Sequence, residues 1–307
     1  MIKENLINNL FTLEKLANGS KVKRLLSNPF KYVYAILLKN GIYPITHKEV
    51  QVSCRMFTGQ TITILLPAST DIYLTGGKTH ASEIRLARFL INNLDTGNTF
   101  WDIGAHYGYF SLLAHELVGQ AGQVISVEAA PVTFNILQKN SGQKGFIKVL
   151  NKAVSDQSGT ITFYELPNLY SEYNSVDVSQ FEQEEWFSKI KAKKIVLDAI
   201  SLDDLATQNS NHSPDIIKID VEGAESAVIK GAINLLNDPA KNTTLVMEYL
   251  EPKRNNESHQ QAVQQLKQWG YKTYIIEQNG NLSLCEDIEK HLSEQQLESD
   301  NIVFKRV

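Results

Sequence analysis

Residues 99–140 constrain the fold most, because in this stretch short apolar runs alternate with helical patterns. Residues 99–103 read as a buried strand, and a glycine turn that begins at Gly104 leads into apolar residues at helical spacing. Residues 123–127 form a second apolar strand, and Pro131 stands where the next helix would begin. The pattern predicts a βαβα unit, which is typical of an α/β fold with a parallel sheet.

Each strand of this unit carries an acid at its tip, Asp102 on the first and Glu128 on the second. A glycine turn there lets a ligand approach the backbone, and an acid on the next strand can accept hydrogen bonds from a ribose diol. The spacing is Gly104-x-x-x-Gly108 instead of the dinucleotide pattern G-x-G-x-x-G. Asp102 beside the turn would repel a pyrophosphate and attract a cation, so the turn favours S-adenosylmethionine (SAM) over NAD. A glycine turn that only packs helix against strand is the alternative.

Several segments together resemble the FkbM family of SAM-dependent methyltransferases. The resemblance covers roughly residues 82–249, and IKIDVEGAE is its most specific piece. It implies a doubly wound, seven-stranded, Rossmann-like class I methyltransferase sheet. Family members more often carry Asn at the position of His106. The segments are DIGAHYGYFSLLA, VISVEAAP followed by FNILQKN, AVSDQSG and IIKIDVEGAESAVIKGA.

The predicted cofactor site combines the glycine turn with strand ends on both sides of it. Glu83 matches a position where FkbM-like proteins carry an acid near the cofactor, although compensation of the helix dipole explains this acid equally well. Residues 151–156 follow the third strand, where the adenine would lie in a doubly wound sheet. The predicted cofactor-binding residues are Glu83, Asp102, Gly104, Ala105, His106, Tyr107, Gly108, Glu128, Ala129, Ala153, Val154 and Asp220.

Three carboxylates lie within six residues at the end of the predicted fourth core strand: Asp220, Glu222 and Glu225. Glu225 begins the next helix, so helix capping accounts for it better than catalysis. Asp220, Glu222 and His106 are the predicted catalytic residues, because a hydroxyl acceptor needs a general base. A divalent cation on the carboxylates is the alternative, and the metal-free version is favoured because the sequence offers no independent ligand set.

The resemblance implies transfer of a methyl group to a hydroxyl oxygen, either of a sugar in a glycan or of a secondary metabolite. One rival is an NAD-dependent oxidoreductase, which the glycine spacing disfavours. A second rival is a non-catalytic protein that retains a SAM-binding fold, which fold alone does not exclude. Nucleic acid is not an expected partner, because the core is acidic and lacks a basic stripe with interleaved aromatic residues.

The amino end differs from the rest of the chain in charge. The formal net charge is −4, whereas residues 1–50 carry +5 and the remainder −9. This basic end is either a solvated face or a weak peripheral contact with anionic lipid, and its longest apolar run is too short to span a bilayer. Cys54 and Cys285 lack Cys or His companions, which argues against a disulfide or zinc site and fits a reducing cytoplasm.

The pattern divides the chain into a helical and β-hairpin extension, residues 1–75, and a methyltransferase domain, residues 76–307. Residues 160–165 and 194–197 are expected to be further strands, and residues 167–180 either an acceptor-binding lid or a solvated insertion. The predicted core strands are residues 99–103, 123–127, 146–150, 215–220, 245–249, 271–276 and 302–305.

Overall fold

A computed structural model gives the structure of the protein, and it describes residues 2–142, 147–167, 170, 174–176, 187, 190, 192–210 and 213–306. Most of residues 167–180, the predicted lid, lies outside these ranges. The strands of the described residues are β1 (Val50–Arg55), β2 (Thr61–Leu66), β3 (Thr99–Ile103), β4 (Gln123–Val127), β5 (Ile147–Leu150), β6 (Ala153–Val154), β7 (Gly159–Glu165), β8 (Lys193–Ile200), β9 (Ile216–Ile219), β10 (Thr244–Leu250), β11 (Lys272–Ile276), β12 (Leu282–Leu284) and β13 (Ser299–Lys305).

The helices begin where the sequence supplies helix-starting residues, such as Pro131 at the first turn of one and Ser201 as the cap of another. The helices of the described residues are α1 (Ile2–Ala17), α2 (Lys21–Ser27), α3 (Pro29–Leu37), α4 (Tyr43–Thr46), α5 (Thr70–Thr75), α6 (Ala81–Asn93), α7 (Tyr109–Val118), α8 (Pro131–Ser141), α9 (Leu202–Gln208), α10 (Glu225–Lys230), α11 (Ile233–Leu236), α12 (Glu257–Gln268) and α13 (Ile288–Gln295).

One mixed sheet forms the centre of the molecule, with its strands in the order β12-β11-β13-β10-β9-β3-β4-β5 across the described residues. Strands β10, β9, β3, β4 and β5 pair in parallel, and β13 is antiparallel to both of its neighbours. The chain starts this sheet in the middle, at β3, runs outward to β5 and then returns to β9. The two halves are therefore wound in opposite directions from β3 and β9.

This sheet contains all seven predicted core strands, which confirms the doubly wound class, and β12 adds an eighth strand at the edge beside β11. The strands predicted at 160–165 and 194–197 lie elsewhere. They pair with each other in a separate sheet of order β6-β8-β7.

Alternating side chains of the central strands bury both faces of the sheet. Phe100, Val124 and Ile216 belong to one apolar cluster, which includes residues of α6 and α7. Trp101 and Ile217, their neighbours in sequence, belong to the other, which includes residues of α9, α10 and α12. Because both faces are covered by helices, these strands are mostly apolar, as parallel strands usually are.

The amino-terminal extension has a firmly attached part and an outer part. Helix α1 packs against α6 and buries Leu6, Leu10 and Leu13 in the core. Residues 21–46 follow as α2, then α3, which begins at Pro29, a π-helical segment (Leu38–Ile42) and α4. The division of the chain at residue 75 stays a prediction. Among the described residues, no helix is both long and apolar enough to cross a membrane.

Candidate active site

A cavity of about 930 Å³ opens at the carboxyl ends of β3, β4, β9 and β10. Adjacent strands β3 and β9 continue into connections that run in opposite directions, so a crevice forms where these connections diverge. The hairpin and α6 contribute part of the wall, including Pro67, His80 and Glu83. The doubly wound topology thus places the predicted strand-end residues around one cavity.

The glycine turn after β3 holds two strand ends together. Gly104 has a φ of +77°, and a Cβ atom there would lie 1.7 Å from the carbonyl oxygen of Asp220. No other residue type fits that approach, so Gly104 is required by the β3–β9 junction as well as by the close approach of a ligand. His106, two residues later, also has a positive φ of 49°, and its ring lies against Tyr107 at 3.8 Å between centroids.

The structure brings most of the predicted site residues to the cavity wall and places four below it. Those that line the cavity are Glu83, Gly104, His106, Glu128, Ala129, Ala153, Val154, Asp220 and Glu222. Asp102, Ala105, Tyr107 and Gly108 are absent from the lining, and the first three are almost completely buried.

Asp102 lies beneath the turn instead of facing the cavity. One carboxylate oxygen accepts a hydrogen bond of 2.6 Å from Ser111, and the other lies 3.6 Å from the ammonium of Lys218. The Ser111 hydroxyl in turn accepts from Ser126 at 2.8 Å. Burial raises the pKa of Asp102, although Lys218 and Ser111 act in the opposite direction. Asp102 therefore anchors a buried polar network that supports the site.

Lys218 connects this network to the cavity, and sequence reasoning missed it. Its ammonium lies 3.0 Å from a carboxylate oxygen of Asp220 and donates a bond of 3.5 Å to the carbonyl of Gly104. Burial alone would lower the pKa of Lys218, but Asp220 and Asp102 outweigh it and raise the pKa. The available signal was a lysine inside the apolar run 216–219, because buried lysines are almost always paired.

Glu128 is a buried carboxylate at the tip of β4. One oxygen accepts from the backbone N–H of His106 and the other from that of Ala130, both at 2.9 Å. Burial raises its pKa to about 7, even though both N–H donors favour the charged form. Glu128 thus fixes the glycine turn to β4 while lining the cavity.

We expect Glu128→Gln to weaken SAM binding by at least about tenfold and to lower thermal stability. An amide has only one acceptor oxygen, so one of the two backbone N–H groups loses its partner and a ribose diol loses a charged acceptor. Because the pKa of Glu128 is about 7, SAM affinity of the wild type should rise as pH increases through 7 and should do so less in the variant.

Calorimetric titration with SAM measures this effect, and Asp203→Asn is the matched control. Asp203 also accepts two backbone N–H bonds, from Asn234 at 3.0 Å and Leu235 at 2.8 Å, but it lies outside the cavity lining. The control should lose stability and retain SAM affinity. Equal SAM affinity in Glu128→Gln and the wild type would contradict a role of Glu128 in cofactor binding.

Asp220, Glu222 and Glu248 form a carboxylate cluster in the cavity, with ligand oxygens within 4.8 Å of one another. Burial opposes ionisation of Asp220, but the positive charges of Lys218 and Lys78 together outweigh it, so the pKa of Asp220 is lowered. Burial and the neighbouring Glu248 raise the pKa of Glu222 well above its usual range, and burial raises that of Glu248 to about 7. Near neutral pH, Glu248 therefore changes its protonation state and Glu222 holds a proton more tightly than an ordinary glutamate, while Asp220 stays ionised.

Glu222 is also held in an unusual backbone conformation. Its φ is +52°, and its carbonyl accepts a hydrogen bond from the buried hydroxyl of Ser175. A left-handed non-glycine residue costs free energy, and such residues concentrate at functional sites. The same cluster offers three hard oxygen donors, a set that could hold Mg²⁺.

The remaining histidine and glutamate candidates differ in whether they line the cavity. His106 lines the cavity, as does His80, whose ring contacts the Ser82 hydroxyl at 2.7 Å. Glu225 is buried outside the lining, 3.4 Å from His259. Burial lowers the pKa of His259 to about 4, so this contact is not an ion pair at neutral pH.

Two further cavity residues were not among the predicted site residues. Glu248 lies near the end of the predicted strand 245–249, and Arg254 follows that strand in a short turn. Arg254 lines the cavity and its charge lowers the pKa of both Glu222 and Glu248. An acid at one more strand end was the signal for Glu248, and no sequence pattern marked Arg254.

The model of one protein family, the methyltransferase FkbM domain, matches residues 102–273. The chain belongs to this family. The match begins at the buried Asp102 and includes the glycine turn, Glu128 and the whole carboxylate cluster, which confirms the resemblance found in the sequence.

This FkbM-family protein is similar to two methyltransferases over about half of its length. Hexuronic acid methyltransferase AglP of Haloferax volcanii is 26% identical over 150 residues, which cover 48% of this chain and 56% of AglP. Methyltransferase sdnD of Sordaria araneosa is 27% identical over 165 residues, covering 46% of this chain and 62% of sdnD. The methyltransferase FkbM structure from Methylobacillus flagellatus has 12% identity and a TM-score of 0.40, with coverage of 78% of this chain and 52% of that one.

Proposed function

We propose that this FkbM-family protein transfers a methyl group from SAM to a hydroxyl oxygen of a sugar, in a glycan, or of a secondary metabolite. The observation that carries the proposal is the single cavity in which Glu128, the glycine turn and the cluster of Asp220, Glu222 and Glu248 meet. AglP and sdnD are both methyltransferases, which supports the same class of reaction. The matched segments cover 56% of AglP and 62% of sdnD.

The residues of the cavity fit SAM better than a dinucleotide. Glu128 offers an oriented carboxylate for a ribose diol, and Ala153, Val154 and Phe163 offer an apolar wall for an adenine. Asp220, held ionised by Lys218, suits a positively charged group. Bound SAM would supply a methyl group on a positively charged sulfur, whereas a pyrophosphate would meet the acids Glu128 and Asp220 close to the turn.

The pair Glu222 and Glu248 is the proposed general base. A base that works near neutral pH needs a pKa near 7; the pKa of Glu248 is raised to about 7, and that of Glu222 is raised well above its usual range. Asp220 is the weaker base because Lys218 stabilises its charged form. Glu222 or Glu248 would accept the hydroxyl proton of the acceptor, and Asp220 would supply a fixed negative charge beside them. His106 is the alternative base.

Arg254 at the same end of the cavity supports an acceptor that carries a negative charge. Its positive charge acts on Glu222 and Glu248. Arginine binds carboxylates well, so Arg254 could also bind the carboxylate of an acceptor. A uronic acid has both a carboxylate and free hydroxyl groups. An acidic sugar is therefore the proposed acceptor class.

The metal-free mechanism remains the proposal, although Glu248 supplies a third carboxylate that the sequence pattern lacked. Lys218 already lies 3.0 Å from Asp220 and balances part of the negative charge that would attract a cation. A base that acts directly is indifferent to chelation, so EDTA should leave the turnover unchanged. Loss of turnover in EDTA, restored by Mg²⁺, would place a cation on the cluster.

Calorimetric titration of the full chain with SAM and with NAD tests the cofactor. SAM should bind and NAD should not; the reverse result would favour an oxidoreductase. Mass spectrometry of glycans incubated with the protein and SAM then tests for methyl transfer. SAM binding without a mass increase of any glycan or hydroxylated metabolite would favour the non-catalytic alternative.

A further inference from the structure

Residues 21–46, called here the outer helical surface, expose an unusual number of large apolar side chains. On α3, Phe30, Val33 and Leu37 follow helical spacing and are all at least half exposed. On α2, Val22 and Leu26 stand four residues apart and are 64% and 75% exposed. In the rest of the described chain beyond residue 46, exposed large apolar residues occur singly, as Val132, Val196, Ile233 and Leu284.

The outer helical surface is attached to the body along its opposite side. Ala35 and Leu38 are each only 1% exposed, and Lys31 lies over the ring of Tyr73 at 5.0 Å from its centroid. The inward side of α3 and of the π-helical segment that follows it is therefore already buried. The outward apolar stripe, Phe30 with Val33 and Leu37, is a second face that folding does not bury.

The charge of this segment favours an anionic partner. Residues 15–48 contain no Asp or Glu, and their cations are Lys15, Lys21, Lys23, Arg24, Lys31, Lys39 and Lys48. Apolar side chains among lysines are the composition of helices that lie in the interface of an anionic bilayer. A symmetric contact with a second copy would bring two like-charged surfaces together, which charge repulsion opposes.

We propose that the outer helical surface docks on the face of a membrane that contains anionic lipid. Phe30, Leu26 and Ile45, each at least 75% exposed, insert among the acyl chains, and the lysines contact the headgroups. Lys39, at the carboxyl side of the stripe, also lines the cavity. Docking places the cavity rim beside the bilayer. If the proposed methyl transfer is correct, the acceptor is then a membrane-attached molecule; the docking itself does not depend on that function.

Sedimentation of the full chain with vesicles tests the docking without any activity measurement. The protein should sediment with phosphatidylcholine vesicles that contain phosphatidylglycerol, remain in solution with phosphatidylcholine alone, and be released by high salt. We expect Lys21→Glu with Lys23→Glu, and separately Leu26→Gln with Phe30→Gln, each to lower the partition coefficient about tenfold or more. All four side chains are exposed, so the variants should fold, which circular dichroism verifies.

Val196→Gln is the matched control, because Val196 is 71% exposed on β8 and lies outside the outer helical surface. It should sediment like the wild type. Failure of the wild type to bind anionic vesicles, or equal binding by wild type and both double variants, would overturn the proposal. A concentration-dependent dimer that Phe30→Gln dissociates, measured by sedimentation velocity, would assign the surface to a second copy instead and would also overturn it.

Discussion

Replacing Glu222 by Gln is expected to lower kcat about a hundredfold or more, with SAM affinity nearly unchanged. The substitution keeps the size of the side chain and removes the group that takes the acceptor proton. Glu222 lies within 4.8 Å of the oxygens of Asp220 and Glu248 in the cavity, and its strained backbone fixes its position. Turnover at saturating acceptor measures the effect, and calorimetry with SAM separates it from binding.

The pH profile should separate the two members of the pair. A base must lose its proton to act, so kcat of the wild type should rise with pH over the range in which Glu222 and Glu248 lose their protons; for Glu248 this range is centred at about 7. Repulsion from Glu248 contributes to the raised pKa of Glu222. In Glu248→Gln this repulsion is absent, so the rising limb should move to lower pH with a smaller loss of kcat. In Glu222→Gln the limb should disappear.

Glu225→Gln provides the control within the same DVEGAE segment. Burial raises the pKa of Glu225 to about 7, and it lies outside the cavity lining, so an amide replaces it with little effect on turnover. Wild-type turnover in Glu222→Gln and Glu248→Gln together with a large loss in Asp220→Asn would return the base to Asp220. A loss confined to His106→Gln would assign it to that histidine.

The fold was predictable because its signals are local. The apolar strands of residues 99–103 and 123–127, separated by helical spacing, specify parallel strands with crossover helices. The edge strand β12 was missed because its three residues, Leu282–Leu284, are too few to show alternation. Apolar and polar residues alternate along the strand at 160–165, but this alternation does not specify which strand it pairs with. Its place in the second sheet therefore could not be predicted.

The position of Asp102 differs from the one expected for a residue at the tip of a strand. Asp102 is the penultimate residue of β3, and side chains alternate between the two faces of a strand. It shares a face with Phe100, toward α7 and Ser111, while the chain reaches the cavity only at Gly104. The alternation of side chains along β3, and not the distance from the turn, therefore decides that Asp102 points away from the cavity.

Glu248 and Arg254 belong to the site because β10, which contains Glu248 and precedes Arg254, pairs with β9. Strand β10 aligns Met247 with Ile219 of β9, so the residue after each, Glu248 and Asp220, meets at the same edge. That register joins residues 28 positions apart in the chain, and no local pattern contains it. The acids that follow IKID are visible in the sequence. The proximity of Glu248 to them depends on the pairing of β10 with β9.

Lys218→Met should destabilise the protein by about 3–5 kcal/mol, which is the expected cost of removing one partner from a buried ionic network. Lys218 is 4% exposed, and its ammonium lies 3.0 Å from Asp220 and 3.6 Å from Asp102. Methionine fills a similar volume, so the loss would come from uncompensated carboxylates and not from a cavity. Urea denaturation measures the free energy of unfolding.

The loss should depend on pH with a definite sign. Without the ammonium, the pKa values of Asp102 and Asp220 in the folded state rise, so the folded variant binds protons more tightly than the unfolded chain. Its stability should therefore be greatest in acid and fall as pH rises above the ordinary range of aspartate. Asp102→Asn in the Lys218→Met background removes one stranded charge and should restore part of the stability, and a double-mutant cycle gives the coupling.

Lys152→Met is the control for Lys218→Met, because both lysines line the same cavity. The Lys152 side chain is 32% exposed and lies 3.7 Å from the exposed Asp198, and such surface pairs contribute at most about 1 kcal/mol. The two variants should differ by several-fold in destabilisation. If they lost equal stability, or if Asp102→Asn failed to rescue Lys218→Met, the buried network would not stabilise the junction of β3 and β9. If they differ as expected, the charge that keeps Asp220 ionised also stabilises the fold.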